Sequence, residues 1–406
     1  MLMATDDEAE SKGSSRSSFR NIFALGFVSF FTDVSTEMVL SLLPVFIVSL
    51  PGSGSAALGM IEGLAESLSY GMRVVSGIFS DKLRRRKIII LLGYGVSNLL
   101  KPFFAVVNNI FEAMAIRVVD RVGKGIRTAP RDALLSESVD EKRRGMAFGL
   151  HRTLDQTGAI LGPLAASFLM YVTGLTIRGV FWLSLIPGVA ALLVLFFFVQ
   201  ERVAISRRRF KMLAGIQEAL KGDFLILLLI VGVFSLGAFN YSFVLLNASE
   251  AGFDYRVIPI FYALINLSHT LIAIPSGVLS DKIGKESVLV IGYGSFLAAA
   301  FSLFFFPRNY YAVFLIALIF GAYDGIANTV GRALIPKYAG NSLRGTAYGL
   351  YYLVVGLCFL IANITVGALW QSYGPSTAAA YSITLASVSI IGMILFIKQQ
   401  KSTHIQ

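Results

Sequence analysis

The sequence is short of the residues that most enzyme and metal sites are built from. It holds one cysteine, Cys358, so no disulfide can close within the chain and a metal site built on thiolates is excluded. Charged residues are 15% of the 406, against about 25% in a soluble domain. No HExxH pattern and no serine with an evident base is present, which argues against a membrane-embedded hydrolase. A nucleotide-binding loop needs G-x-x-x-x-G-K-[ST] after a strand. Between Arg121 and Gly125 the glycine follows Lys124 instead, inside an apolar stretch, so primary active transport by this chain alone is excluded. No cofactor and no metal are expected. Residues 1–18 are acidic and then serine-rich, with no apolar core, and read as a disordered cytoplasmic tail rather than a cleavable signal.

What is present is apolar. Hydrophobic residues are 55% of the chain, with 32 phenylalanines, and the mean hydropathy is +0.71. Such a chain is an integral membrane protein. Its net charge of +11 fits basic loops on the cytoplasmic side better than nucleic acid. Twelve apolar segments reach the roughly 20 residues a span needs: 21–50, 56–80, 87–107, 111–130, 144–172, 178–199, 224–247, 257–280, 286–306, 310–335, 343–370 and 376–397. Alternate loops are basic, among them Lys82 to Lys87, Lys142 to Arg144, Arg207 to Lys211, Lys282 with Lys285, and Lys337 with Arg344. The intervening loops carry little charge. The even count and this bias place both termini in the cytoplasm.

The chain repeats itself. Ser76 to Lys87, SGIFSDKLRRRK, returns as SGVLSDKIGKES from Ser276 to Ser287; RGMAFGL at Arg144 returns as RGTAYGL at Arg344. GYG at 93–95 returns at 292–294. Copies in one order at offsets of 200, 199 and 200 mark a duplication. With six spans each, the copies share one membrane orientation, a parallel repeat related by a pseudo-twofold axis along the membrane normal. The expected units are a tail 1–18, an N-terminal six-helix bundle 19–199, a cytoplasmic inter-half loop 200–223, a C-terminal six-helix bundle 224–397 and a cytoplasmic tail 398–406.

These motifs resemble the major facilitator superfamily. Its loop between the second and third helices follows G-x-x-x-D-x-x-G-R-[RK]. Gly77, Asp81, Arg85 and Arg86 fit, with Arg84 where glycine is usual; Gly277, Asp281, Gly284 and Lys285 form the second copy. Arg121 to Gly125 is similar to R-x-x-x-G of proton-coupled members. Gly158, Gly162 and Pro163 are similar to the fifth-helix motif of the drug/proton antiporter branch, and read as helix-packing residues. The resemblance covers about residues 21–397 and implies an all-α fold of twelve transmembrane helices, acting as a secondary transporter. It names no substrate. A carboxylate such as Asp81 beside a basic run can pair with it and latch one conformation, so Gly77, Asp81, Arg85, Arg86, Gly277, Asp281 and Lys285 are expected to form conformational latches.

Charge deep in a membrane helix is expensive and marks function. At 1.5 Å per residue, Asp33 lies about 18 Å from the cytoplasmic side, with Glu37 one turn further. Glu62 and Glu66 form a second i, i+4 pair, and His151 and Asp155 a third. Crowded carboxylates in low dielectric take up protons near neutral pH. Asp33, Glu37, Glu62, Glu66, Asp155 and His151 are therefore the expected proton-coupling groups. Arg117, Arg121 and Lys124 share a helix face at i, i+4, i+7; with Lys101, Arg152, Asn240, Tyr241 and Asp324 they are the expected substrate-binding groups. Acidic and cationic groups concentrate in the first half, and aromatic residues line the second.

The function expected is proton-coupled secondary transport of a small polar solute, anionic or carboxylate-rich as a siderophore is, across the inner or plasma membrane by alternating access. The alternatives are a multidrug/proton antiporter exporting amphipathic compounds and a transport-dead sensor of the same fold. The partners expected are the substrate, protons and the bilayer; the chain is expected to act as a monomer, not as an enzyme.

Overall fold

The computed structural model of the protein describes residues 4–83, 86–139, 144–201, 220–339 and 343–403. Among them it is helical, with no strand. The first half is built from α1 (Ala4–Leu40), α2 (Leu43–Val48), α3 (Ser55–Leu83), α4 (Arg86–Leu100), α5 (Ile110–Glu137), α6 (Arg144–Thr173), α7 (Ile177–Leu183) and α8 (Leu185–Phe198). The second half comprises α9 (Gly222–Gly237), α10 (Tyr241–Glu250), α11 (Ile258–Ile283), α12 (Lys285–Phe305), α13 (Ala312–Tyr338), α14 (Arg344–Tyr373) and α15 (Pro375–Thr403).

Nine stretches among the described residues are long and apolar enough to cross a membrane. Three further helices, α3, α5 and α6, have 29, 28 and 30 residues and carry most of the internal charge. A polytopic membrane protein follows.

Several expected elements differ in detail. The span expected at 21–50 breaks between α1 and α2, where Pro44 enters the first turn of α2. The span expected at 224–247 breaks at Asn240, whose side chain caps α10 by accepting from the Ser242 amide at 2.9 Å. Pro102 turns the end of the third span into a 3-10 segment, Lys101–Val106. The tail expected to be structureless over 1–18 is helical from Ala4, in continuation of α1; no proline interrupts it. The inter-half loop falls on residues 202–219, which lie outside the described residues.

The described helix ends that flank the basic loops, Leu83 with Arg86, Glu137 with Arg144, Ile283 with Lys285 and Tyr338 with Arg344, share one end of the bundle, called here the basic end. The two halves meet where α3 packs along α14, α6 along α11 and α2 against α10. The α3–α14 seam is tightest at the opposite end. A Cβ on Gly59 would sit 2.1 Å from the Asn363 carbonyl oxygen, and one on Gly367 2.5 Å from that of Ser55. Nearer the basic end the spacing relaxes: the corresponding approach of Gly356 to Tyr70 is 3.2 Å and of Gly349 to Val74 is 3.9 Å. Hydrogen bonds from Ser55 Oγ to the Gly367 carbonyl (3.1 Å) and from Ser167 Oγ to the Arg256 carbonyl (2.7 Å) reinforce the closed end.

Within the first half, Gly158 and Gly162 let α6 lie directly on α1. Their Cβ positions fall 2.4 Å from the Phe30 carbonyl oxygen and 2.7 Å from that of Val34. This close approach draws Asp33 and Asp155 together.

Candidate functional site

A cavity of about 380 Å³ lies between the halves. Its lining runs from Asn240, Tyr241 and Tyr262 at the closed end to Arg131, Asp132 and Arg332 toward the basic end. Solvent reaches it from the basic end. The side chains of Arg152 and Asp324 are 56% and 40% exposed, while that of Arg121 is 3% exposed.

The first wall is a ladder between α3 and α5, which run parallel. The i, i+4 pair Glu62 and Glu66 meets the i, i+4 pair Arg117 and Arg121 in register. Arg117 donates to both oxygens of Glu62, at 3.1 and 2.7 Å, and its Nη2 also lies 3.4 Å from the Tyr241 hydroxyl across the interface. Arg121 Nε lies 3.0 Å from Glu66. Glu62 and Arg117 are completely buried and sit behind the cavity wall rather than on it. Asp120, also buried, accepts from Ser97 at 2.5 Å and from Arg117 at 3.4 Å. The two glutamates are thus held by guanidinium groups, not crowded against each other.

The second wall brings α1 to α6. Asp33 and Asp155 both line the cavity, and the Cβ position of Gly158, three residues after Asp155, falls 3.2 Å from Asp33 Cβ, so the two carboxyls are neighbours, and two carboxylates so placed repel. Asp155 also accepts from Arg152 at 3.0 Å. Glu37, one turn along, lines the cavity with Tyr262 of the second half, and its Oε2 is buried without a hydrogen-bond partner among the described residues. Lys124 faces the same cavity and forms no ion pair with another described residue.

The third element crosses the halves on the solvent side. Arg152 Nη2 lies 3.1 Å from His269 Nε2, and His269 Nδ1 lies 2.8 Å from Asp324. Asp324 accepts from Asn328 at 2.6 Å, and Asn328 from Arg332 at 3.4 Å. A guanidinium only donates, so His269 Nε2 is the acceptor and its Nδ1–H donates to Asp324. Gln156 to Thr270, at 3.0 Å, runs beside this chain. Gly325 makes it possible: its Cβ would stand 2.6 Å from the His269 carbonyl oxygen.

Of the expected proton-coupling residues, Asp33, Glu37, Glu66 and Asp155 line the cavity; Glu62 and His151 do not. His151 is buried, and its Nε2 has no hydrogen-bond partner among the described residues. Of the expected substrate-binding residues, Arg121, Lys124, Arg152, Asn240, Tyr241 and Asp324 line the cavity. Arg117 and Lys101 do not: Lys101 is completely buried and donates to Thr36 Oγ1 and to Asn98 Oδ1. Among the expected latch residues, Asp281 is exposed and makes no ion pair with another described residue. The side chains of Asp81 and Arg85 lie outside the described residues. Arg86 is buried and pairs with Glu137.

Sequence reasoning left out Gln156, Asn328, Arg332 and Tyr70 as cavity residues, and His269 as the bridge. Arg332 had a usable signal, an arginine eight residues after Asp324 in a long apolar helix. Tyr70 had none, since an aromatic ring in a membrane span is ordinary.

A sequence profile described as the Major Facilitator Superfamily matches residues 25–363. The chain belongs to the major facilitator superfamily. An uncharacterized MFS-type transporter of Methanocaldococcus jannaschii is 36% identical over 385 residues, 93% of this chain and 95% of that one. The multidrug resistance protein MdtG of Salmonella typhimurium is 26% identical, covering 93% of each. Among solved structures, the nucleoside transporter NupG superposes with a TM-score of 0.75 at 13% identity, covering 94% of this chain and 99% of that one. A POT family transporter in complex with a thioalcohol-conjugated peptide reaches 0.76 at 14% identity, covering 94% and 96%. At such identities the superpositions speak for the fold alone.

Proposed function

We propose that this superfamily member is a proton-coupled secondary transporter that moves a small polar anion by alternating access. The observation that carries this reading is the cavity itself. It combines two neighbouring carboxyls, Asp33 and Asp155, with a cationic wall of Arg121, Lys124 and Arg152 a short way off; neighbouring carboxyls are best accommodated when they share a proton. Loss of the shared proton would leave two anions side by side, and Arg152, already on Asp155, is placed to absorb the change. Proton state and the position of a cation are thereby linked.

The twelve spans fall into two six-helix halves, 19–199 and 224–397, in a parallel repeat. Supporting it, Gly125 packs on the Ser69 carbonyl and Gly325 on that of His269, equivalent contacts 200 residues apart. The basic end faces the cytoplasm, so the conformation is inward-facing and both termini are internal. The protein acts as a monomer in the inner or plasma membrane.

A second reading, export of amphipathic drugs, is favoured by the similarity to MdtG and by the aromatic wall of the second half. There Phe234 stacks on Tyr293 at 3.6 Å beside Tyr323. Proteoliposomes separate the two. Accumulation of organic anions driven by a pH gradient and abolished by a protonophore supports the first reading. Uptake of lipophilic cations into everted vesicles, with none of anions, replaces it with the second.

A further inference from the structure

Three arginines in the cavity form no ion pair with another described residue; one, Arg127, lies over the Tyr94 ring at 4.3 Å within the first half, and the other two stand at the interface. Arg73, on α3, lies with its guanidinium 4.8 Å from the Tyr70 ring and 5.9 Å from the Tyr352 ring. Its Nε is buried and has no hydrogen-bond partner among the described residues. Arg332, on α13, reaches only the side-chain oxygen of Asn328, at 3.4 Å. Neither forms an ion pair with another described residue, in a cavity where Arg121, Arg131 and Arg152 all do. The two arginines come from different halves and meet at one aromatic cluster. Tyr70 stacks on Tyr352 across the interface at 5.7 Å, Tyr352 lies 6.4 Å from Tyr348, and the Tyr348 hydroxyl donates to the Arg332 carbonyl at 3.3 Å. Aromatic faces hold a guanidinium plane without using its N–H groups. The fork of Arg73 is therefore oriented but left free to donate, and that of Arg332 spends a single N–H on Asn328.

Two like charges beside one aromatic cluster repel unless an anion stands with them. We infer that Arg73 and Arg332, framed by Tyr70 and Tyr352, form an oxyanion seat at the cytoplasm-facing part of the cavity, which takes a carboxylate or phosphate group of the transported solute. The seat rests on the anionic-solute reading above and gives it a location. A guanidinium fork matches the two oxygens of either group. Because one arginine comes from each half, an anion in the seat ties α3 to α13 where the α3–α14 seam is loosest. Occupancy therefore favours closure of the basic end. Lys124, also without an ion pair, lies further along α5 and offers the next cation toward the centre.

The test uses the full chain, purified in detergent, and its thermal unfolding in inorganic phosphate and in citrate, against chloride at matched ionic strength. The expected result is stabilisation of the wild type by at least one of the two anions. Arg73→Gln and Arg332→Gln should each weaken the apparent affinity about ten- to hundredfold, and Arg73→Lys and Arg332→Lys less. The unfolding temperature of each variant in chloride alone checks that it is folded. Equal stabilisation of the wild type and the Arg73→Gln/Arg332→Gln double variant overturns the seat while leaving the anionic reading in place. No stabilisation of the wild type by either anion overturns the seat. If ethidium then stabilises it, the anionic reading falls as well.

Discussion

Arg152 Nη2 and His269 Nε2, 3.1 Å apart, join α6 to α11 through a ring that also donates to Asp324. The imidazole thus serves as acceptor on one side and donor on the other. His269→Ala removes both contacts at once, whereas His269→Gln keeps an acceptor and a donor. We expect solute counterflow in proteoliposomes to change several-fold in His269→Ala and less in His269→Gln; wild-type counterflow in His269→Ala would remove His269 from the account.

The Asp33–Asp155 pair leads to a second expectation. Asparagine at position 33 can still hydrogen-bond Asp155 but cannot release a proton. Asp33→Asn should abolish accumulation driven by a pH gradient while leaving counterflow within a few-fold of wild type. Full gradient-driven accumulation in this variant would mean that the coupled proton is carried elsewhere.

Glu62 and Arg117 form a completely buried ion pair. Removing one partner strands the other charge, which costs about 3–5 kcal/mol in such settings. Glu62→Gln and Arg117→Met should each lower the unfolding temperature sharply. The double variant should recover part of the loss, because neither Glu62 nor Arg117 is left charged without the other, although Asp120 still loses its 3.4 Å partner. Additive losses in the double variant would show that the pair is not coupled as its geometry requires.

At the closed end, the backbone carbonyl of Asn363 leaves no space for a Cβ on Gly59. Gly59→Ala should force α3 from α14 and cost about 1–3 kcal/mol. In a Cys358→Ser background, a cysteine at Ser55 should then react faster with a membrane-impermeant maleimide. Unchanged labelling would mean that the seam does not govern access from that side.

The membrane class was legible from composition and from the length of the apolar segments. So was the shared face of Arg117, Arg121 and Lys124, because 3.6 residues per turn determines it. The face did not reveal what stood opposite. Arg117 meets Glu62 behind the wall while Lys124 meets open space, a distinction set by how α3 and α5 align. Lys101 looked like a ligand for substrate because it is charged and deep; a threonine and an asparagine retire it. Contacts between halves, such as Arg152 with His269 or Tyr70 with Tyr352, depend on how two separately folded bundles face each other. No periodicity within either bundle encodes that.

The glycine seam between α3 and α14 has an energetic consequence for the cycle. Gly59, Gly63 and Gly367 bring backbone against backbone, so little apolar side-chain area is buried there. Separating the two helices uncovers carbonyls that arriving water can solvate, and few side chains must be re-ordered when the helices return. The joint behaves as a smooth bearing, on which the two bundles can roll apart and together at little cost in hydrophobic contact.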